Sequence, residues 1–192
     1  MAPAPTANEL RGRPARSPWR RTLRWLVGVV AVAAVFHVFQ ASWYERKLNA
    51  AVQEVAGRSD VTMNCRMLWE EASDVNHKPG YVVWGDPEAE IRIDICHNAA
   101  LWSRSPTSDR HRTGLMVVAH ELAHLVGHVD ESETECVAMW IAPELAVALG
   151  GTHEDGVATA RWHQSEMNPR LPGEYRAPGC LDGDPPMSPL LP

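Results

Sequence analysis

The chain has 192 residues, of which 45% are hydrophobic, so it is long enough for one folded domain with a substantial apolar core. Its formal net charge is −6, but residues 1–24 carry +5 and the remainder therefore carries −11. An acidic body argues against nucleic acid as a partner, because the phosphate backbone binds to basic surfaces.

The N-terminal region is predicted to anchor the protein in a membrane. Residues 1–22 are rich in proline and arginine and are predicted to form a disordered basic tail. Residues 25–39 are apolar except for His37, and with their flanks they predict a membrane-spanning helix over residues 23–43. Because arginines precede this segment, we expect the N-terminus in the cytoplasm and the rest of the chain outside it.

A cleaved signal peptide is the alternative interpretation of the same segment. Cleavage after residue 41 would require small residues just before the cut, and Phe39 is a poor residue for that position. We therefore favour an uncleaved anchor.

Four cysteines lie beyond the anchor, which is consistent with an oxidising compartment. None belongs to a Cys-x-x-Cys pair, so a cysteine-based zinc or redox site is not expected. Two disulfides have three possible pairings, of which we favour Cys65–Cys96 and Cys136–Cys180.

Residues 44–170 are predicted to form an α+β domain, with strands first and helices after them. A helix is expected over residues 44–58, followed by short strands at residues 61–65 and 81–84. The strict alternation of isoleucine with charged residues over residues 91–95 predicts a further strand, and a short helix is expected at residues 97–103.

Helical patterns dominate the second half of this domain. Helices are expected over residues 113–127, 131–141, 143–150 and 154–165, with Gly127 ending the first of them. Residues 171–192 are rich in proline and are predicted to form an irregular tail.

The helix at residues 113–127 carries the motif His120-Glu-Leu-Ala-His124. Two histidines four residues apart lie one turn apart on one helical face, where both imidazoles can bind a single zinc ion. The glutamate between them, Glu121, is placed to act as a general base. The motif therefore predicts a zinc site with His120 and His124 as ligands and Glu121 as the catalytic residue.

A third ligand is expected from the acidic residues that follow the motif helix. If two antiparallel helices meet at residues 127–130, Glu135 lies on the returning helix at a depth between His120 and His124. We therefore predict Glu135 as the third ligand. Asp130 and Glu131 remain alternatives, and if Glu131 is the ligand, Glu135 is expected to hydrogen-bond to a ligand histidine.

The motif and the acidic segment at residues 130–138 resemble those of zincin metallopeptidases. Glu135 would correspond to the gluzincin arrangement, and the chain is also similar to ImmA/IrrE-type peptidases and to small membrane-anchored bacterial metallopeptidases. A ligand at Asp130 would instead resemble the snapalysin type. The resemblance implies a short, mostly antiparallel sheet above the motif helix, with residues 91–96 as an edge strand that binds an extended substrate.

These features predict a membrane-anchored, extracytoplasmic zinc peptidase that acts on a peptide or protein substrate. A further side chain should stabilise the oxyanion, and three candidates are available: His153, His163 and Tyr175. The alternative function is an exported, non-catalytic, zinc-stabilised domain that binds a partner in the cell envelope. The sequence predicts no oligomeric state.

Overall fold

A computed structural model describes residues 18–66, 78–83 and 85–183 of the chain. The predicted N-terminal tail to residue 17, Trp84 of the second predicted strand and the end of the C-terminal tail lie outside the described residues. Residues up to Phe39 form one compact unit, and residues from Gln40 onward form a second.

The first described element is helix α1, Pro18–Ala56, which is long and apolar enough to cross a membrane. The anchor predicted at residues 23–43 and the helix predicted at residues 44–58 are therefore parts of one continuous helix. Side chains along residues 19–36 are exposed.

The C-terminal part of α1 belongs to the core of the second unit. Leu48 and Val52, four residues apart, are fully buried on one face of the helix. On the same helix, the side chains of Glu45 and Asn49 accept hydrogen bonds from the backbone N–H groups of Cys65 and Met63, at 2.8 and 2.6 Å. These bonds hold the first strand of the sheet against the helix.

The sheet has three short strands: β1, Thr62–Arg66; β2, Gly80–Val82; and β3, Glu88–Arg92. The strand order is β1-β3-β2, with β1 parallel and β2 antiparallel to β3. The α+β class is therefore confirmed, but the sheet is mixed rather than mostly antiparallel. Because β3 lies in the centre, the prediction of an edge strand at residues 91–96 is wrong, and β2 is the edge strand beside the motif helix.

The strand predicted at residues 91–95 ends at Arg92, and helix α2, Ile93–Ala100, follows without a loop. Ile93 and Ile95 remain buried in this helix, so their alternation with charged residues did not distinguish a strand from a helix start. The short helix expected at residues 97–103 is thus shifted towards the N-terminus, and a 3₁₀ turn follows at Trp102–Arg104.

The motif helix α3 comprises Asp109–Leu125 and packs closely on α2. A Cβ atom at Gly114 would lie 2.7 Å from the backbone nitrogen of Ala99, so a glycine is required at this contact. Gly127 adopts a positive φ of 115° and reverses the chain direction after α3. This reversal brings the next helix back alongside the motif.

Helix α4 comprises Glu131–Ala148, and helix α5 comprises His153–Trp162. The two helices predicted at residues 131–141 and 143–150 are one helix, because Pro143 is accommodated inside it. Asp130 caps α4 by accepting a hydrogen bond from the N–H of Glu133 at 2.9 Å, and Thr152 caps α5 in the same way. A π-helical turn, His163–Met167, continues α5.

Both favoured disulfides are confirmed. Cys65–Cys96 joins β1 to α2, and Cys136–Cys180 joins α4 to the C-terminal segment, which we define as residues 168–183. This segment is also held by Ser132, whose hydroxyl donates to the carbonyl oxygen of Arg176 at 2.8 Å. The segment is therefore fixed beside the first turns of α4.

Candidate metal centre

Two imidazoles and one carboxylate meet where α3 and α4 face each other. The Nε2 atoms of His120 and His124 each lie 3.1 Å from the same oxygen, Oε2 of Glu131. The ligand atoms of these three residues lie within 4.8 Å of one another. This group could hold one metal ion.

The geometry favours Glu131 over Glu135 as the third ligand. The Oε2 atom of Glu135 lies 2.8 Å from Nδ1 of His120, on the side of the ring that faces away from Glu131 and His124. The prediction of Glu135 compares only how far each backbone position lies from the turn between the two helices. It neglects the length of the Glu131 side chain, which extends from the first turn of α4 to the histidines. Glu135 instead occupies the position expected of it if Glu131 binds the metal.

The remaining nitrogen of each imidazole is also engaged. Nδ1 of His124 lies 2.8 Å from the backbone carbonyl oxygen of His128, and Nδ1 of His120 contacts Glu135. With the proton on Nδ1, each ring donates to these oxygens and directs the lone pair of Nε2 towards the oxygen of Glu131. Two nitrogen lone pairs and a carboxylate then converge on one point, which is the donor set of a cation site.

The electrostatics of the cluster show that it attracts positive charge. Burial lowers the pKa of His120, but hydrogen bonds to Glu131 and Glu135 outweigh this and raise the pKa to about 9. Burial would raise the pKa of Glu135, but hydrogen bonds from His120 and His163 lower it to about 2. Without a metal ion, a proton on His120 therefore provides the charge that these carboxylates stabilise.

Glu121 lies in the same cavity, with a side chain that is only 5% exposed. Burial raises its pKa to about 7, although the charge of His120, the next largest effect, opposes this shift. Its Oε2 atom has no hydrogen-bond partner among the described residues. Because a carboxylate with a pKa near neutrality can both accept and release a proton, Glu121 suits the role of general base.

Gly80 of strand β2 makes room for this carboxylate. A Cβ atom at Gly80 would lie 2.6 Å from Oε1 of Glu121, too close for any other residue at this position without movement. The sequence alone does not identify Gly80, because no local sequence pattern links residue 80 to residue 121. The dipeptide Pro79-Gly80 gave only a turn signal.

The cavity has a volume of about 470 Å³ and combines the metal group with an apolar surface. Its apolar lining comes from β2, α3, the π-helical turn and the C-terminal segment, namely from Val82, Met116, Val117, Met167, Leu171 and Pro172. A cavity of this size and character accommodates an apolar side chain next to the metal group.

One side of the cavity is the free edge of β2. The N–H of Arg92 donates to the carbonyl oxygen of Pro79 at 3.0 Å, which fixes the alternation of hydrogen bonds between β2 and β3. In this alternation the backbone of Tyr81 faces β3, whereas the N–H and C=O groups of Gly80 and Val82 point away from it. No described strand pairs with that edge.

Two other sequence candidates have structural roles outside the cavity. Asp130 is exposed and caps α4, so the structure gives no support to it as a ligand. His153 is 63% exposed and lies 3.7 Å from Glu144 on the surface. Neither residue contributes to the lining of the cavity.

Tyr175 and His163, the other two candidates, both line the cavity. The ring of Tyr175 lies 5.8 Å from that of His120, and burial and the charge of Glu131 raise its pKa. His163 is buried, and its Nε2 atom makes a short hydrogen bond with Oε1 of Glu135. Tyr175 is therefore the candidate whose polar group lies beside the metal group, where its hydroxyl interacts with Glu131.

No family model, curated protein or solved structure matches this chain. The resemblance to zincin metallopeptidases therefore stays a prediction from the His120-Glu-Leu-Ala-His124 motif.

Proposed function

We propose that this protein is a membrane-anchored, extracytoplasmic zinc-dependent peptidase in which Glu121 acts as the general base. The observation that carries the proposal is the convergence of His120, His124 and Glu131 beside the buried carboxylate of Glu121, whose Oε2 atom has no hydrogen-bond partner among the described residues. These groups open onto a cavity bordered by an edge of β2 with which no described strand pairs.

The donor set supports zinc as the metal. Two imidazole nitrogens and one carboxylate oxygen are the ligands of many catalytic zinc sites, in which a fourth position is left for water or substrate. When bound there, zinc supplies Lewis acidity, which polarises a carbonyl group and lowers the pKa of water. His120, His124 and Glu131 would hold it.

Glu121 supplies the proton transfers of peptide hydrolysis. As a carboxylate it accepts a proton from the attacking water, and as a carboxylic acid it donates that proton to the leaving amine. Its burial and its raised pKa keep the two states close in free energy.

The edge of β2 supports a polypeptide as substrate. An extended peptide can add to this edge as an additional strand, with hydrogen bonds to the backbone groups of Gly80 and Val82. The hydroxyl of Tyr175, which lines the same cavity, would then donate to the oxygen of the scissile carbonyl. Backbone pairing selects for peptides over esters and small amides.

Location outside the cytoplasm is supported by two features. Helix α1 is long and apolar enough to cross a membrane, and arginines are concentrated at its N-terminal end. The two disulfides are stable in an oxidising compartment. We infer that the domain from Gln40 onward lies on the outer side.

The alternative function is a non-catalytic, zinc-stabilised binding domain. Structural zinc sites are usually closed by four protein ligands, whereas three ligand groups converge here beside an open cavity. Oε2 of Glu121 is buried without a hydrogen-bond partner among the described residues, which has a cost that a purely structural site does not require. Both features favour catalysis.

The test uses the full chain, purified in detergent without chelators. We expect one zinc per chain by elemental analysis and cleavage of a peptide library, with cleavage sites read by mass spectrometry. Glu121→Gln should lower kcat by about 10²- to 10⁴-fold while zinc stays bound.

Glu144→Gln, at an exposed site on α4, is the matched control and should retain activity. Full activity in Glu121→Gln would overturn the role of Glu121. Zinc without any hydrolysis would support the binding domain, and absence of zinc would refute both functions.

A further inference from the structure

Glu135 lies between two histidines, and both of its oxygens are engaged. Oε2 contacts Nδ1 of His120 at 2.8 Å, and Oε1 accepts a short hydrogen bond from Nε2 of His163. The side chains of Glu135 and His163 are 5% and 10% exposed, so water does not compete strongly for these contacts. The result is a buried chain of three side chains that ends at a proposed metal ligand.

We propose that His163 is a positioning residue of the metal centre: through Glu135, it fixes the orientation of the His120 imidazole and prevents Glu135 from binding the metal itself. The inference rests on the metal site of the proposed function. It adds Glu135 and His163, which lie outside the motif at residues 120–124.

The metal group requires one orientation of the His120 ring. Its Nε2 atom must point towards His124 and Glu131, and this requires a fixed acceptor at Nδ1. A carboxylate held at only one oxygen can rotate about its side-chain torsions, whereas one held at both oxygens cannot do so without breaking a buried hydrogen bond. His163 therefore rigidifies the acceptor on which the orientation of His120 depends.

Two glutamates on one helix compete to bind the metal. Glu131 and Glu135 are four residues apart on α4 and both contact His120. Both could in principle donate an oxygen to the metal. Because His163 occupies Oε1 of Glu135 and His120 occupies Oε2, only Glu131 retains an oxygen that faces both Nε2 atoms.

The position of His163 depends on how α5 packs against α4. Gly156 allows α5 to approach α4 closely, since a Cβ atom there would lie 2.5 Å from Cα of Pro143. His163 begins the π-helical turn that follows α5, and turns of this type often occur at functional sites. The Nδ1 atom of His163 has no hydrogen-bond partner among the described residues, so Glu135 is the polar contact that accounts for its burial.

The test compares three substitutions at position 163 in the full chain. His163→Leu removes the donor, His163→Asn keeps a polar group that is too short to reach Glu135, and His163→Gln places an amide N–H close to the original Nε2. His153→Leu, at the exposed histidine that begins α5, is the control. The readouts are the dissociation constant for zinc and the absorption spectrum of the cobalt-substituted protein.

We expect His163→Leu and His163→Asn to weaken zinc binding by about 10- to 100-fold, which is typical of residues that support a metal ligand. The cobalt spectrum should change with them, because the ligand geometry changes. His163→Gln should recover most of the affinity, and the control should match the wild type. If His163→Leu does not fold, the His163→Asn and His163→Gln pair gives the same comparison.

Equal zinc affinity and unchanged cobalt spectra in folded His163→Asn and wild-type protein would overturn the inference. That outcome would leave the proposed peptidase intact, because the wild type would still bind zinc and cleave peptides. A wild type that binds zinc but cleaves nothing would instead refute the proposed function and leave the role of His163 standing.

Discussion

The two sides of the metal cavity present different chemical groups. The sheet side, residues 79–82, offers backbone groups and the space left by Gly80. The helix side, formed by α4, the π-helical turn and the C-terminal segment, offers charged and aromatic side chains that surround His120. Changes to the glutamates of the helix side should therefore alter metal binding, whereas changes on the sheet side should alter turnover with the metal in place.

The largest expected effect separates Glu131 from Glu135 on the helix side. Glu131→Gln should weaken zinc binding by more than about 100-fold, because it removes a ligand, whereas Glu135→Gln should weaken it by about 10- to 100-fold. Zinc titration of both variants, with the exposed Glu144→Gln as control, measures the difference. A larger loss in Glu135→Gln than in Glu131→Gln would return the ligand role to Glu135.

On the sheet side, Gly80→Ala should lower the proposed peptidase activity without releasing zinc. The new Cβ would lie 2.6 Å from Oε1 and 2.9 Å from Cγ of Glu121, so the carboxylate must move. A displacement of about 1 Å at a catalytic group costs on the order of 10²-fold in rate, and we expect a loss of that size in kcat. Zinc affinity should change by less than about 2-fold, since Glu121 is not a ligand.

Gly183→Ala is the matched control, because a Cβ atom at that glycine meets nothing within 4 Å. The comparison is made on kcat and on zinc content in the same preparations. If Gly80→Ala loses zinc as well as activity, the two sides of the cavity are not independent, and the distinction between them is wrong.

The parts of the fold that the sequence predicts well depend on neighbours along the chain. Gly127 follows the end of the motif helix, and the spacing of His120 and His124 places both rings on one face. Each of these follows from backbone geometry within one or two turns. The pairing of the four cysteines also agrees with the favoured one.

The parts that the sequence did not predict depend on distant residues. Arg92 ends strand β3 where a longer strand was expected, because burial of the following isoleucines is satisfied equally well in a helix. The preference for Glu131 over Glu135 depends on His163, 28 residues beyond Glu135. Neither feature leaves a local pattern, so only the assembled fold reveals them.

The smallest expected effect concerns Tyr175, which the C-terminal segment brings to the helix side of the cavity. The Asn168 amide nitrogen donates to the carbonyl oxygen of Tyr175 at 3.3 Å, and the Cys136–Cys180 disulfide joins the same segment to α4. Tyr175→Phe keeps the ring beside His120 and removes only the hydroxyl. We expect kcat to fall about 10- to 100-fold, less than for a fully buried oxyanion donor, because Tyr175 is half-exposed.

The kinetic constants decide what the Tyr175 hydroxyl does. If it donates to the oxyanion, the loss appears in kcat while KM and zinc affinity stay close to the wild type. If it only supports Glu131, which lies near enough to raise the pKa of Tyr175, zinc affinity falls instead. A change confined to KM would place the hydroxyl in substrate binding and would exclude it from the stabilisation of the transition state. That stabilisation would then depend on the metal and on the backbone groups of β2.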